Sequence, residues 1–139
     1  MGMEARRTLR LVVDTSLLMC CVEDRKSLKE LVMESFEAPV EVIVPDAVLR
    51  ELSSIARNRG RRGALARIAL EEIKRLREEG YCKVMEAGEG NVDDLLIKLA
   101  KELNAYIASA DEGLRRKARS LGVGEVAYLK AQKRLSPLP

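Results

Sequence analysis

A chain of 139 residues with 47% apolar side chains carries one domain's core, burying about 68 to 70% of the surface its unfolded form exposes with no metal or disulfide needed to complete it. Histidine is absent, which excludes Ser-His-Asp and Cys-His nucleophile pairs and imidazole-ligated metal sites, so hydrolytic chemistry falls to carboxylates, hydroxyls, Lys or Arg. Net charge is only +3, with Arg and Lys gathered in clusters, and no apolar stretch approaches the roughly 20 residues of a membrane span.

Met1 to Arg7 is short and polar, without the apolar region of an export signal, and the expectation is a cytoplasmic protein. Leu9, Leu11, Val12 and Val13 are too continuous for a one-faced strand, as at the centre of a parallel sheet, and Asp14 closes the run at its carboxyl end. Leu17 to Val22 and Ser27 to Phe36 read as a short helix and a longer amphipathic one. Val40 to Val44 is a second strand, closed by Pro45, and Asp46 is expected to cap a helix from Ala47 to about Asn58. Gly60 and Gly63 bracket a break. Ala64 to Glu79 forms a third strong helix, with Leu65, Ile68, Ala69, Ile73 and Leu76 at helical spacing and Gly80 ending it. Cys82 to Met85 is a short strand. Asn91 caps a helix from Val92 to Leu103, Ala105 to Ser109 is a fourth strand, Glu112 to Leu121 a helix and Val126 to Leu129 a last strand. The tail, 130–139, is expected to fray or pack at the sheet edge.

Strands alternating with helices predict right-handed β-α-β crossovers and a single-domain α/β fold, a three-layer α/β/α sandwich around a central parallel sheet of about five strands. Its core spans about 9–129. Cys20 and Cys21 are adjacent and Cys82 is far away, matching neither a disulfide framework nor a zinc spacing; they read as small buried hydrophobes in a reducing compartment.

Four acids stand out, and each has a structural reading beside a chemical one. Asp14 either caps the following helix or, at the end of a central strand, faces the crevice where α/β sheets bind ligands. Glu51 lies on the shoulder of an apolar stripe of Val48, Leu49, Leu52, Ile55 and Ala56, where it either reaches out to water or is met by a cation or donors. Asp93 and Asp94 open a helix, where acids favour the dipole, and Asn91 with Asp94 resembles a capping box. The helical wheel separates them: Asp93 borders the face of Leu96, Leu99 and Leu103, whereas Asp94 projects with Lys101 and can pair with Lys98. Asp111 follows a strand as Asp14 does, and Ser109 to Glu112 also fits a capping box. If the first and fourth strands are neighbours, two carboxylates stand at adjacent strand ends and a helix-borne acid on either side leans over them. Such crowding opposes folding unless a cation neutralises it, and with oxygen ligands only the expected ion is Mg²⁺ or Mn²⁺.

These residues resemble the PIN domain, a family of metal-dependent ribonucleases. The matching pieces are LVVDTS, with Asp14 and Ser16; VPDAVLREL, with Glu51; DDLL, with Asp93 in the place of the family's D-x-L-I acid; and ASAD, with Ser109 and Asp111 in its Ser/Thr-x-Asp. EGLRRKARSLGV is similar to the family's basic helix and turn into the last strand, so the resemblance covers about Leu9 to Leu129. It implies a flavodoxin-like sandwich, an acidic pocket at the strand ends, and hydrolysis of RNA leaving a 5′-phosphate and a 3′-hydroxyl. By the same resemblance Asp14, Asp93 and Asp111 would hold metal, Glu51 would complete the cage or position water, and Ser16 would orient Asp14 or a water ligand. Some members have two acids where Asp93 and Asp94 stand; the interval to Asp111 and the wheel both favour Asp93. Ser16 stands where many relatives carry Asn.

Two basic clusters flank these pieces: Arg57, Arg59, Arg61 and Arg62 between two helices, and Arg115, Arg116, Lys117 and Arg119 after Asp111. Each reads as solvated surface or, beside an acidic pocket, as the cations an RNA backbone needs to approach carboxylates. With 3% aromatic residues there is little stacking platform, so recognition by RNA shape and backbone is expected. The expectation is an Mg²⁺- or Mn²⁺-dependent endoribonuclease, either the toxin of a toxin and antitoxin pair or a nuclease trimming ribosomal RNA precursors. The partners would be RNA, with an antitoxin or ribosome-assembly protein, and a homodimer by resemblance. The rival is an RNA-binding or assembly scaffold with little turnover. A phosphatase with an aspartyl nucleophile would want a second Asp two residues after Asp14, where Ser16 stands.

Overall fold

The computed structural model describes residues 8–139, so the reading of Met1 to Arg7 lies outside the described residues. In chain order the elements are β1 (Leu9–Val13), α1 (Thr15–Glu23), α2 (Leu28–Ser35), β2 (Val40–Pro45), α3 (Asp46–Ala56), α4 (Arg61–Glu78) and β3 (Cys82–Met85). There follow α5 (Val92–Leu103), β4 (Tyr106–Ser109), α6 (Glu112–Ser120), β5 (Glu125–Leu129) and β6 (Arg134–Leu135). Five parallel strands lie in the order β3-β2-β1-β4-β5, and β6 adds antiparallel to β5. The layering is the expected α/β/α sandwich. Of the two common doubly wound strand orders, this is the one that reads 3-2-1-4-5 rather than flavodoxin's own.

The apolar run predicted to be central is central. Val12 pairs with Ile43 of β2 on one side and Ile107 of β4 on the other, and Leu11, Val12 and Val13 are each 0% exposed. Covering both faces explains why the run does not alternate. α4 packs on α1 and α3, α5 lies against β1 and β4, and α6 against β4 and β5.

Several local expectations change. Asp46 is not a cap, because β2 runs directly into α3 and Pro45 takes the cap position; the Asp46 carboxylate accepts from the Ala87 amide at 2.9 Å and pairs with Arg50 at 3.1 Å. α4 begins at Arg61, one turn before Ala64, after Gly60 at φ +95°. Ile68, counted with the apolar stripe, is 55% exposed. Asp94 pairs with Lys117 of α6, not with Lys98.

The tail does not fray. Leu135 is buried, its amide donates to the Ser35 hydroxyl of α2 at 3.1 Å, and Ser136 exchanges two hydrogen bonds with Ala127. Just ahead of it, Tyr128 donates to Asp24, and Lys130 donates to Glu23 and Asp24, fastening the end of β5 to the end of α1. The three cysteines are free thiols, with Cys21 and Cys82 buried. Among the described residues no helix is long and apolar enough to cross a membrane.

Candidate active site

The pairing of Val13 with Ala108 sets the next residues, Asp14 and Ser109, side by side where the strand order reverses. Asp14 leaves β1 extended and caps α1, accepting from the Leu17 amide at 3.0 Å. The Ser109 hydroxyl donates to its carboxylate at 2.7 Å, and the Ser16 hydroxyl lies 2.9 and 3.0 Å from its two oxygens. Both hydroxyls also accept backbone amides, Ser16 from Ala110 and Ser109 from Asp111. Two serines thus join the ends of β1 and β4 around one buried acid. Burial pushes the Asp14 carboxyl up to about 6; its hydrogen bonds to Ser109, Leu17 and Ser16 work the other way, and nearby Asp111 adds to the rise.

Asp111 caps α6, accepting from the Leu114 amide at 3.2 Å. Glu51 is half-buried and accepts from the Thr15 hydroxyl. Asp93 is also half-buried, and its carboxyl is raised first by burial and then by Asp111, with Glu51 and Asp94 adding to the rise against the pull of Lys117. Capping and site placement are therefore compatible: Asp14 and Asp111 cap their helices and still face the same space.

That space is a cleft of about 690 Å³ on which Asp14, Glu51, Asp93 and Asp111 all open, with Ser16 beside them and Met19, Leu65 and Leu96 forming apolar wall. Asp94 is exposed and outside it. Of the first basic cluster, Arg61 and Arg62 line the cleft; Arg57 and Arg59 are exposed and do not. The second cluster is engaged elsewhere. Arg115, 16% exposed, donates to the Ser109 carbonyl at 2.9 Å and pairs with Glu125, tying α6 to β4 and β5. Arg116 pairs with Glu112, Lys117 with Asp94, and Arg119 with Glu125. Thr15 and Glu23 also face the cleft, and no local pattern marks them, since Thr15 meets Glu51 across 36 positions.

Among the described residues no group of three or more acid or thiol side chains is close enough to hold an ion unaided. The charged donors are carboxylates, with hydroxyls beside them and the Cys20 thiol as the one sulfur donor besides the Met19 thioether, spread around an open cleft. Mg²⁺ is bound in this manner, through one or two carboxylates, several waters and substrate phosphate oxygens, so the residues fit a hydrated hard ion rather than a closed cage.

Fold and cleft together define a doubly wound α/β protein with four acids lining the crevice at its switch point. The chain belongs to the PIN-like domain family, whose model matches residues 11–132. An uncharacterized PIN and TRAM-domain containing protein of Thermus thermophilus is 33% identical over 136 residues, covering 91% of this chain; the chain spans only 37% of that relative's length. The PIN domain endonuclease Utp24 superposes with a TM-score of 0.73 at 20% identity, over 93% of this chain and 92% of its own. A domain of a functionally unknown protein from Methanocaldococcus jannaschii matches with a TM-score of 0.63 at 23% identity, over 88% and 91%.

Proposed function

We propose that this chain is an Mg²⁺- or Mn²⁺-dependent endoribonuclease that hydrolyses RNA phosphodiesters in the acidic cleft. The observation that carries the reading is the convergence of Asp14, Glu51, Asp93 and Asp111, from four separate elements, on one cleft that Arg61 and Arg62 also line. Membership of the PIN-like family and the likeness to a PIN domain endonuclease support it. Asp14, Asp93 and Asp111 would hold the hydrated cation, in part through its bound waters, with Glu51 completing the set or positioning water. When bound, such an ion supplies positive charge to the phosphate oxygens and makes water a stronger acid.

The chain's own residues do the rest. Ser16 and Ser109 fix the Asp14 carboxylate in one orientation, so that little rearrangement is needed on binding. Thr15 does the same for Glu51. Arg62 and Arg61 bring a polyanion up to a site that would otherwise repel it.

The test is incubation of the full chain with mixed RNA, in Mn²⁺ or in chelator. Cleavage should occur with Mn²⁺ alone and disappear in Asp14→Asn and Asp93→Asn. RNA binding without cleavage in Mn²⁺ would establish the scaffold reading instead, and full activity in either variant would remove the acids from the reaction. A small antitoxin in the adjacent reading frame would assign the toxin role over ribosomal RNA trimming.

A further inference from the structure

The acidic cleft opens at two ends. Past Glu51, Ser54 and Val92 it meets a hollow of about 500 Å³, where the local cation, Arg50, is held by Asp46 and the Gly88 carbonyl and Glu89 stands alongside. Past Glu23, Arg61 and Leu65 it meets a groove of about 570 Å³ between the α1–α2 turn and α4.

The second opening is charged differently. Arg25, in the left-handed conformation at φ +56°, and Arg75 stand exposed on its walls, and among the described residues neither takes part in an ion pair. The acids there are mostly answered: Glu72 accepts the Leu28 amide at 2.8 Å, and Glu23 is met by Lys130 at 3.1 Å and Arg61 at 3.7 Å. Glu71 and Glu72 have no ion pair among the described residues; Glu72 is 9% exposed and turned to the Leu28 amide, which leaves Glu71 as the exposed acid facing the two arginines. Leu65 and the exposed Ile68 give the groove an apolar side.

From this charge pattern and the continuity with the cleft, we infer that the groove is a second arm of the nucleic-acid path. Single-stranded RNA with its scissile phosphate in the cleft continues past Arg61, its backbone on Arg25 and Arg75 and its bases against Leu65 and Ile68. The inference rests on the RNA reading above. A polyanion nearing four carboxylates needs unengaged cations along its course, and of the two openings only this one has them. Apolar side chains take the place of the aromatic platforms common in single-strand grooves.

The test measures binding in chelator, where nothing is cleaved, of labelled single-stranded RNAs of about 12 and about 4 nucleotides. The variant is Arg25→Asn with Arg75→Gln, Asn being chosen because it tolerates positive φ. Its control, Lys74→Gln with Arg77→Gln, removes the same charge from α4 where it faces a separate groove beside Leu49 and Val84. Two lost contacts at about 0.7 each flatten the logarithmic salt slope by about 1.4, so from about 50 to 200 mM salt the wild type loses about sevenfold more affinity for the longer RNA than the variant does. The short RNA should bind both alike. An unchanged slope, or an equal fall in the control, overturns the arm. If the wild type fails to cleave in Mn²⁺ while the slope difference persists, the hydrolytic reading falls and the arm stands.

Discussion

Burial holds the Asp14 carboxyl up at about 6 although its hydrogen-bond donors favour the charged form, so without a cation this residue works against the fold at neutral pH. The ordinary value is 3.8, and the folded state binds the proton more tightly than the unfolded one. Stability from this group is therefore fully present below the unfolded value and lost as pH rises through the folded one, a swing of about 3 kcal/mol at most. Asp14→Asn cannot ionise and keeps acceptor and donor atoms for Leu17, Ser16 and Ser109. In chelator its melting temperature should exceed that of the wild type above pH 6, with the gap closing toward pH 4; melts across that range that run parallel would show the burial penalty to be absent. The sequence disclosed Asp14 and Asp111 because each closes an apolar strand. It did not disclose what holds the other charges: a helical wheel offers Asp94 only Lys98, whereas the fold brings Lys117, and nothing near Arg115 in the chain announces Glu125 or the Ser109 carbonyl.

At the scale of elements, the α3–α4 turn decides where Arg61 and Arg62 stand. Arg67 of α4 donates to the Ala56 and Asn58 carbonyls at 2.7 and 3.3 Å, closing the open end of α3. Gly63 lets α4 come this near, since a Cβ there would lie 1.9 Å from the Asn58 carbonyl oxygen. Ala favours a helix over Gly by about 1 kcal/mol, but the obstacle is backbone and cannot rotate away, and overpacking costs about 1 to 3 kcal/mol. Gly63→Ala should therefore lose stability in urea unfolding and weaken RNA binding through displaced arginines; a more stable variant would show that the turn yields freely. Gly60 marks this break in the sequence, but Gly63, read as its far side, lies inside α4. The start of α4 was harder to see because Arg61 and Arg62 carry no cap and no apolar periodicity, and Asp46 was misplaced because an acid after proline looks like a cap even when the strand passes straight into the helix.

For the whole molecule, the five parallel strands followed from alternation alone, while β6 escaped because two residues cannot show a period. Its buried Leu135 nevertheless joins the core beneath α2. Leu135→Ala should cost about 2 to 5 kcal/mol in unfolding free energy. Cleavage per folded molecule should be unchanged, because the residue lies outside the cleft; a loss of turnover in well-folded protein would tie the tail to the site. The contact between Ser109 and Asp14 spans 95 positions, and Asp111 lies further along still. A polypeptide emerging from the ribosome exposes its first acid long before its last one has been translated. Until then the growing chain holds no assembled cleft, and whatever the cleft does begins only when the last of its four walls has been made.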